Sequence, residues 1–149
     1  MCKRIARAKR LKIAGCICLL LFVSVPAISQ ELAPTRIVGM EYPPIGISAR
    51  IQGSFRIKCN LSPEGKVLSS EIMDTVSRPV RDILGKAAQE NISEWVFPST
   101  NLGQERSVVI TYKFGLEVKH EPSKESRFVY QSSPSEVNVT AEIPDVLLP

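Results

Sequence analysis

The feature that most constrains the fold is a pair of alternating segments joined by a tight turn. From Ser54 to Leu61, apolar and polar side chains alternate with a period of two, which is typical of a half-buried β-strand. The turn Ser62–Gly65 follows, where Pro63 favours the φ of its second position and Gly65 can adopt positive φ. Val67 to Met73 then returns as the partner strand. The sequence therefore predicts an antiparallel β-hairpin.

A helix and a third strand are predicted after the hairpin. Pro79 supplies a start signal, apolar residues recur at three- and four-residue spacing up to Trp95, and Phe97-Pro98 ends the helix. Gly85 lies inside this helix at a cost of ~1 kcal/mol relative to alanine, which indicates either close backbone packing or an unfavourable surface position. After a polar loop, alternation from Ser107 to Leu116 predicts the third strand.

The C-terminal part of the chain, residues 117–149, predicts a polar linker and a strand tail. Alternation over 127–130, and more clearly over 137–143, indicates one or two further strands. Such a strand is expected to dock on the third strand, within the chain or by exchange between chains, and so to protect that edge against aggregation.

The first 29 residues are predicted to be an export segment. A basic stretch to Lys12 precedes an apolar run from Ile13 to Val25, and Ala27-Ile28-Ser29 fits the small-x-small pattern of a signal peptidase site. A short uncleaved membrane anchor is the alternative. However, the apolar segment from Ile13 to Ile28 falls below the ~20 residues that span a bilayer. Residues 30–41 then form a lead-in to the folded part.

Charge and composition exclude several functions. Six of the 19 basic residues, and none of the 15 acidic ones, lie in the export segment, so the rest carries 13 basic against 15 acidic residues, a charge of −2. This balance argues against a nucleic-acid partner. The sequence has a single histidine, His120, and no Ser/His/Asp set, phosphate-binding glycine loop or metal-ligand cluster. We therefore predict no enzyme activity and no cofactor, with Cys59 as a small core residue.

Several short motifs, taken in order, carry a family resemblance. These are Tyr42-Pro43, Arg50-Ile51-Gln52-Gly53, Pro63-Glu64-Gly65-Lys66-Val67, Trp95-Val96-Phe97-Pro98 and the strand through Phe114. Together they resemble the C-terminal domain of TonB, the energy transducer of Gram-negative envelopes, over residues 42–116. The family has aspartate where Glu64 stands, so a carboxylate is kept. The resemblance implies an α+β fold: a three-stranded antiparallel sheet with the helix packed on one face, plus one or two extra C-terminal strands.

The resemblance also implies a binding edge. In the family, the third strand is an edge that receives an extended peptide, the TonB box of outer-membrane transporters, by strand addition. The corresponding edge here runs from Ser107 to Leu116, which makes Val109, Thr111 and Lys113 candidate partner contacts, together with Tyr112. The alternative interpretation is that these side chains belong to ordinary solvent-facing strand residues. The tail strand is expected to compete with an incoming peptide.

The function implied is an exported, periplasmic TonB-like binding module that engages such peptide segments, with tethering to the inner membrane as the alternative to release. Only 13 residues, Ser29 to Glu41, separate the apolar run from Tyr42. At ~3.3 Å per residue they reach ~45 Å, too little to carry force between the two membranes, so a stand-alone module is expected. The alternative function is a structural or self-associating envelope protein without a transporter partner. A homodimer through edge strands is compatible with either.

Overall fold

The structure is a computed structural model that describes residues 32–100, 103–122, 125–133 and 135–145. The predicted export segment, residues 1–29, lies outside the described residues. Within the described part of the chain, no helix combines the length and apolar character needed to cross a bilayer.

Five strands form one mixed sheet. They are β1 (Gly53–Leu61), β2 (Val67–Ile72), β3 (Arg106–Lys119), β4 (Arg127–Ser132) and β5 (Ser135–Pro144). The order across the sheet is β2-β1-β3-β5-β4, and neighbours are antiparallel except for β3 and β5, which are parallel. The predicted hairpin, helix and third strand are confirmed, and the first strand lies between the other two. The expected edge position of the third strand is wrong, because β3 is the central strand.

Two helical segments accompany the sheet. Helix α1 (Pro44–Ser48) was not predicted from the two adjacent prolines, although the fixed φ of proline suits the first turn of a helix. The predicted long helix is a π-helical segment, Val80–Gly85, that continues directly into α2 (Lys86–Ser93). Gly85 is buried, and a Cβ atom there would lie 2.5 Å from Cδ1 of Ile72. Close backbone packing is therefore the reason for a glycine at this position.

The hydrophobic core lies between the helical layer and one face of the sheet. Every second side chain of β1, β3 and β5 points into it, which is the period of two expected for strands with one buried face. Cys59 is one of these residues, and burial raises the pKa of its thiol to about 12. The largest fully buried side chains are Trp95, Tyr42, Tyr112, Phe55, Phe97, Ile57, Leu61, Leu84, Ile92, Ile110, Val137 and Val139.

The lead-in is fixed to the domain by a small buried network. The carbonyl of Val38 accepts hydrogen bonds from Nδ2 of Asn91 at 2.8 Å and from Nε1 of Trp95 at 3.1 Å. The hydroxyl of Tyr112 donates to Oδ1 of Asn91 at 2.9 Å. Closer to the N-terminus, Arg36 forms an antiparallel bridge with Val96. The folded part therefore begins several residues before Tyr42, the start expected from the sequence.

Candidate strand-docking edges

The outer side of β3 is identified by the direction of its main-chain groups. Leu116 donates its N–H to the side chain of Gln52, which directly precedes β1, and the carbonyl of Lys119 accepts from the N–H of Asp145, directly after β5. Because consecutive residues of a strand direct their main-chain groups to opposite sides, even-numbered residues of β3 face β1 and odd-numbered ones face away from it.

β5 covers only part of this outer side. Its register with β3 starts at Thr111 opposite Glu136 and runs to Lys119. Ser107 and Val109 are paired with β1 across the sheet but have no strand on their other side among the described residues. Their two N–H and two C=O groups therefore form an uncovered segment, which we call the lower β3 edge (residues 106–110).

The four side chains predicted to contact a partner fall into three environments. Val109 lies on the lower β3 edge, on the sheet face opposite the helix, and is 41% exposed. Thr111 and Lys113 lie on the same face, but their main chain is paired with β5, which corrects the open edge expected there. Tyr112 is completely buried and bonded to Asn91, and burial raises the pKa of its hydroxyl. Of the four, only Val109 lies where the main chain is uncovered.

The predicted docking of the tail on β3 is confirmed, and it occurs within the chain. β5 places four buried side chains in or beside the core, from Val137 to Ile143 at every second position, and Phe128 and Tyr130 of β4 contact Trp95 edge-on. A peptide that replaced β5 would expose these side chains to water, at a cost of ~25 cal/mol per Å² of apolar surface. The predicted competition between tail and peptide is therefore energetically unfavourable along Thr111–Lys119.

The two outermost strands differ in how their free edges are protected. The N–H of Met73, directly after β2, donates to the carbonyl of Arg56 of β1. Because consecutive residues direct their main-chain groups to opposite sides, Ser70 directs its own outward, where its carbonyl accepts from Nε2 of Gln89 at 2.9 Å. A helix side chain thus occupies part of this edge. The outer side of β4 has no comparable cover among the described residues. Sequence analysis did not identify this edge, because which strand lies outermost depends on long-range pairing.

An ion pair fixes the start of β5 against β3. Nζ of Lys113 lies 2.6 Å from Oε2 of Glu136, and hydrogen bonds from Lys113 and Asn138 lower the pKa of the Glu136 carboxyl group. A carboxyl group whose pKa is lower in the folded state stabilises the protein above its unfolded pKa of ~4.3. That contribution disappears as the pH falls through the folded-state pKa.

We therefore expect Glu136→Gln to lower the melting temperature at pH 7, and the difference from wild type to vanish well below pH ~4. Thermal denaturation at both pH values measures this difference. Lys113→Met is the matched control: it removes the same pair from the other side and should lose most of the pH-dependent part, since the hydrogen bond from Asn138 to Glu136 remains. A difference that is equally large at both pH values would show that the glutamate acts through packing alone.

The other groups with strongly raised pKa values belong to the core. Burial raises the pKa of Tyr42 to about 12, and its hydroxyl donates to the carbonyl of Ile51. Within the described ranges, no group of three or more histidine, cysteine, aspartate or glutamate residues could hold a metal ion.

Structurally, the chain is a small α+β module in which a helix-backed mixed sheet leaves strand segments unpaired. A family model described as Gram-negative bacterial TonB protein C-terminal matches residues 38–116, so the chain belongs to the TonB C-terminal family. This family comprises non-enzymatic binding and transduction modules of transport energy coupling in the Gram-negative periplasm, which generally interact with outer-membrane TonB-dependent transporters.

Among solved structures, the chain is similar to the solution NMR structure of the Pseudomonas aeruginosa TonB CTD. The two share 16% sequence identity with a TM-score of 0.42, over 58% of this chain and 88% of the other. No curated protein matches the sequence.

Proposed function

We propose that this protein is an exported, periplasmic TonB-like module that engages extended, TonB-box-like segments of outer-membrane transport proteins by strand addition. The segment would bind along the lower β3 edge. The observation that carries this proposal is the uncovered main chain of Ser107 and Val109, which lies on the family's binding strand next to the point where β5 begins. The proposal covers two alternatives: the module is released into the periplasm, or it stays tethered to the inner membrane.

The uncovered segment limits the length and the affinity of the partner. Five residues of strand span about 17 Å at ~3.3 Å per residue. Four main-chain hydrogen bonds at ~1 kcal/mol each supply about 4 kcal/mol, which corresponds to a dissociation constant of only ~1 mM. Side-chain contacts must therefore add the remaining affinity. Val109 offers exposed apolar surface for this purpose.

The proposal is tested by titrating a synthetic TonB-box peptide into the protein and following amide hydrogen exchange by NMR. We expect the amides of Ser107 and Val109 to gain protection on binding, and those of Phe128 and Tyr130 on β4 to stay unchanged. Val109→Pro should weaken binding about fivefold or more, because it removes an outward-facing N–H and leaves the pairing with β1 intact.

Val129→Lys is the control variant, because it changes an equally exposed valine on β4 and should leave peptide affinity unchanged. A thermal melt of Val109→Pro checks that the fold is retained. Protection that appears on β4 instead, or undiminished affinity of a folded Val109→Pro variant, would contradict the proposed location. The alternative function, a structural envelope protein, predicts self-association with no affinity for the peptide.

A further inference from the structure

We infer that the lead-in, residues 32–41, acts as a strap that holds the tail hairpin, β4 and β5, on the sheet. Its detachment raises the fraction of molecules in which the hairpin has left β3, and so opens the part of the β3 edge that β5 covers. The hold on the hairpin needs no partner, whereas its use in controlling peptide binding rests on the proposed function.

The lead-in is attached to the end of the long helix at two points. Arg36 forms two main-chain hydrogen bonds with Val96, one in each direction and both 3.1 Å long. Two residues further on, the carbonyl of Val38 accepts from the side chains of Asn91 and Trp95. Asn91 is 7% exposed, so its amide group depends on acceptors within the fold. These bonds hold the lead-in against the helical layer.

The same segment also touches the tail hairpin. A Cβ atom at Gly39 would lie 3.8 Å from Cδ1 of Phe128, so the lead-in backbone is within van der Waals reach of this ring. The N–H of Tyr42, directly after the lead-in, donates to Oγ of Ser126, directly before β4, at 3.0 Å. Trp95 joins the two parts, because it is bonded to the lead-in and its ring lies edge-on to that of Phe128. The lead-in therefore connects the hairpin to the helical layer.

β4 depends on these contacts more than the inner strands do. In the described sheet it lies outermost, with β5 as its strand neighbour, whereas β1 and β3 each have a strand on both sides. Its inward rings, Phe128 and Tyr130, are only partly buried and lie against Trp95. Local opening of a protein begins where the fewest buried contacts must break. The tail hairpin is therefore the unit expected to open when the lead-in detaches.

The docked hairpin is held in a balance that the lead-in can shift. The hydroxyl of Tyr130 is buried and has no hydrogen-bond partner among the described residues, which disfavours docking, because water can satisfy this group after opening. On the other side, Val137 and Val139 of β5 are completely buried, so the docked hairpin remains the major state. Detachment of the lead-in therefore raises the population of the open state without abolishing the docked one.

Opening of the hairpin lengthens the edge available to a peptide. β5 pairs with β3 from Thr111 to Lys119, so its departure adds the outward main-chain groups of Thr111 and Lys113 to the lower β3 edge. The two segments are continuous on β3, and each added residue offers further hydrogen bonds to an incoming strand. A docked lead-in thus corresponds to a short binding edge, and a detached lead-in to a long one.

Amide hydrogen exchange of the free protein tests the hold on the hairpin. Val38→Asp places a carboxylate on a side chain that packs against the core, and so detaches the lead-in. We expect the amides of β4 and β5 to exchange about fivefold faster or more, the factor for one lost hydrogen bond, and those of β1 to remain the most strongly protected. Met40→Asp repeats the test at a second partly buried side chain of the lead-in.

Ile37→Asp is the matched control. It makes the same change of charge one residue earlier, on a side chain that is 39% exposed, and should exchange like wild type. Titration of the TonB-box peptide then tests the control of binding. Val38→Asp should bind more tightly than Ile37→Asp, up to the factor of about five by which the open population rises. Protection by the peptide should extend from Val109 to Thr111 and Lys113.

The opposite results overturn the inference separately from the proposed function. Unchanged exchange of the hairpin in folded Val38→Asp and Met40→Asp excludes the strap. Equal protection of the hairpin and β1 amides also excludes it, because the hairpin would then open only with the whole domain. Faster exchange without tighter peptide binding overturns the control of the edge. Absence of peptide binding in wild type and every variant contradicts the proposed function, whereas the exchange result decides the hold on the hairpin by itself.

Discussion

Replacement of Trp95 by alanine should lower the free energy of unfolding by about 3–5 kcal/mol, the range for removing a large buried aromatic side chain. Trp95 is 1% exposed, and its ring contacts those of Phe97, Phe128 and Tyr130. Its Nε1 also holds the lead-in at the carbonyl of Val38. The substitution therefore weakens the helix end, the tail hairpin and the lead-in together. Chemical denaturation followed by circular dichroism measures the loss.

Trp95→Phe is the matched control for this experiment. It keeps an aromatic ring in the cluster but removes the indole N–H, while the carbonyl of Val38 retains its bond from Asn91. We expect a loss of about 1–2 kcal/mol, from one hydrogen bond and a small cavity. Equal losses in the two variants would mean that the hydrogen bond, rather than the ring packing, dominates the contribution of Trp95.

Alanine at Gly65 should destabilise the domain by about 2–5 kcal/mol. Gly65 has a φ of 85°, a conformation that costs a residue with a Cβ about 1–2 kcal/mol. In addition, a Cβ atom there would lie 1.9 Å from the carbonyl oxygen of Phe97, which is backbone and cannot rotate away. Forced displacement in a packed region typically adds 1–3 kcal/mol. Comparison of the thermal midpoints of variant and wild type measures the effect.

Gly103→Ala separates these two contributions. Gly103 also has positive φ, 61°, but a Cβ atom would meet nothing within 4 Å. Only the conformational cost of about 1–2 kcal/mol should remain. If Gly65→Ala were no more destabilising than Gly103→Ala, the clash with Phe97 would have to be relieved by a shift of the loop after α2.

Local patterns in the sequence determined much of this fold. The hairpin, the long helix and the third strand follow from periodicity and turn residues within short windows, and each was found where predicted. The strands of the tail were also recognised by alternation. Their positions were not, because alternation shows that one face of a strand is buried but does not identify its neighbour or their relative direction. Parallel pairing of β5 with β3 follows from contacts distant in sequence.

The dependence of strand pairing on contacts distant in sequence also explains why the candidate site was predicted only in part. The sequence correctly placed Val109 on the exposed face of the third strand, but whether its edge was open depended on the tail. β5 covers Thr111 and Lys113, and leaves Ser107 and Val109 uncovered. Tyr112 lies on the opposite face of the same strand, where it bonds to Asn91. Because side chains alternate along a strand, its position between Thr111 and Lys113 already indicated that it points inward. No local feature of the sequence indicated the free edge of β4.

The position of β5 between β3 and β4 has a consequence for the order of folding. β4 precedes β5 in the chain, yet its strand contacts with the sheet run only through β5. During synthesis, Arg127–Ser132 therefore has no native strand neighbour until Ser135–Pro144 has also emerged. Thr111 of β3 pairs with Glu136 of β5, 25 residues further along the chain, so a loop of that length must close before β4 can join the sheet. Until then, the aromatic side chains of β4 lack their native strand neighbour and are open to non-native contacts.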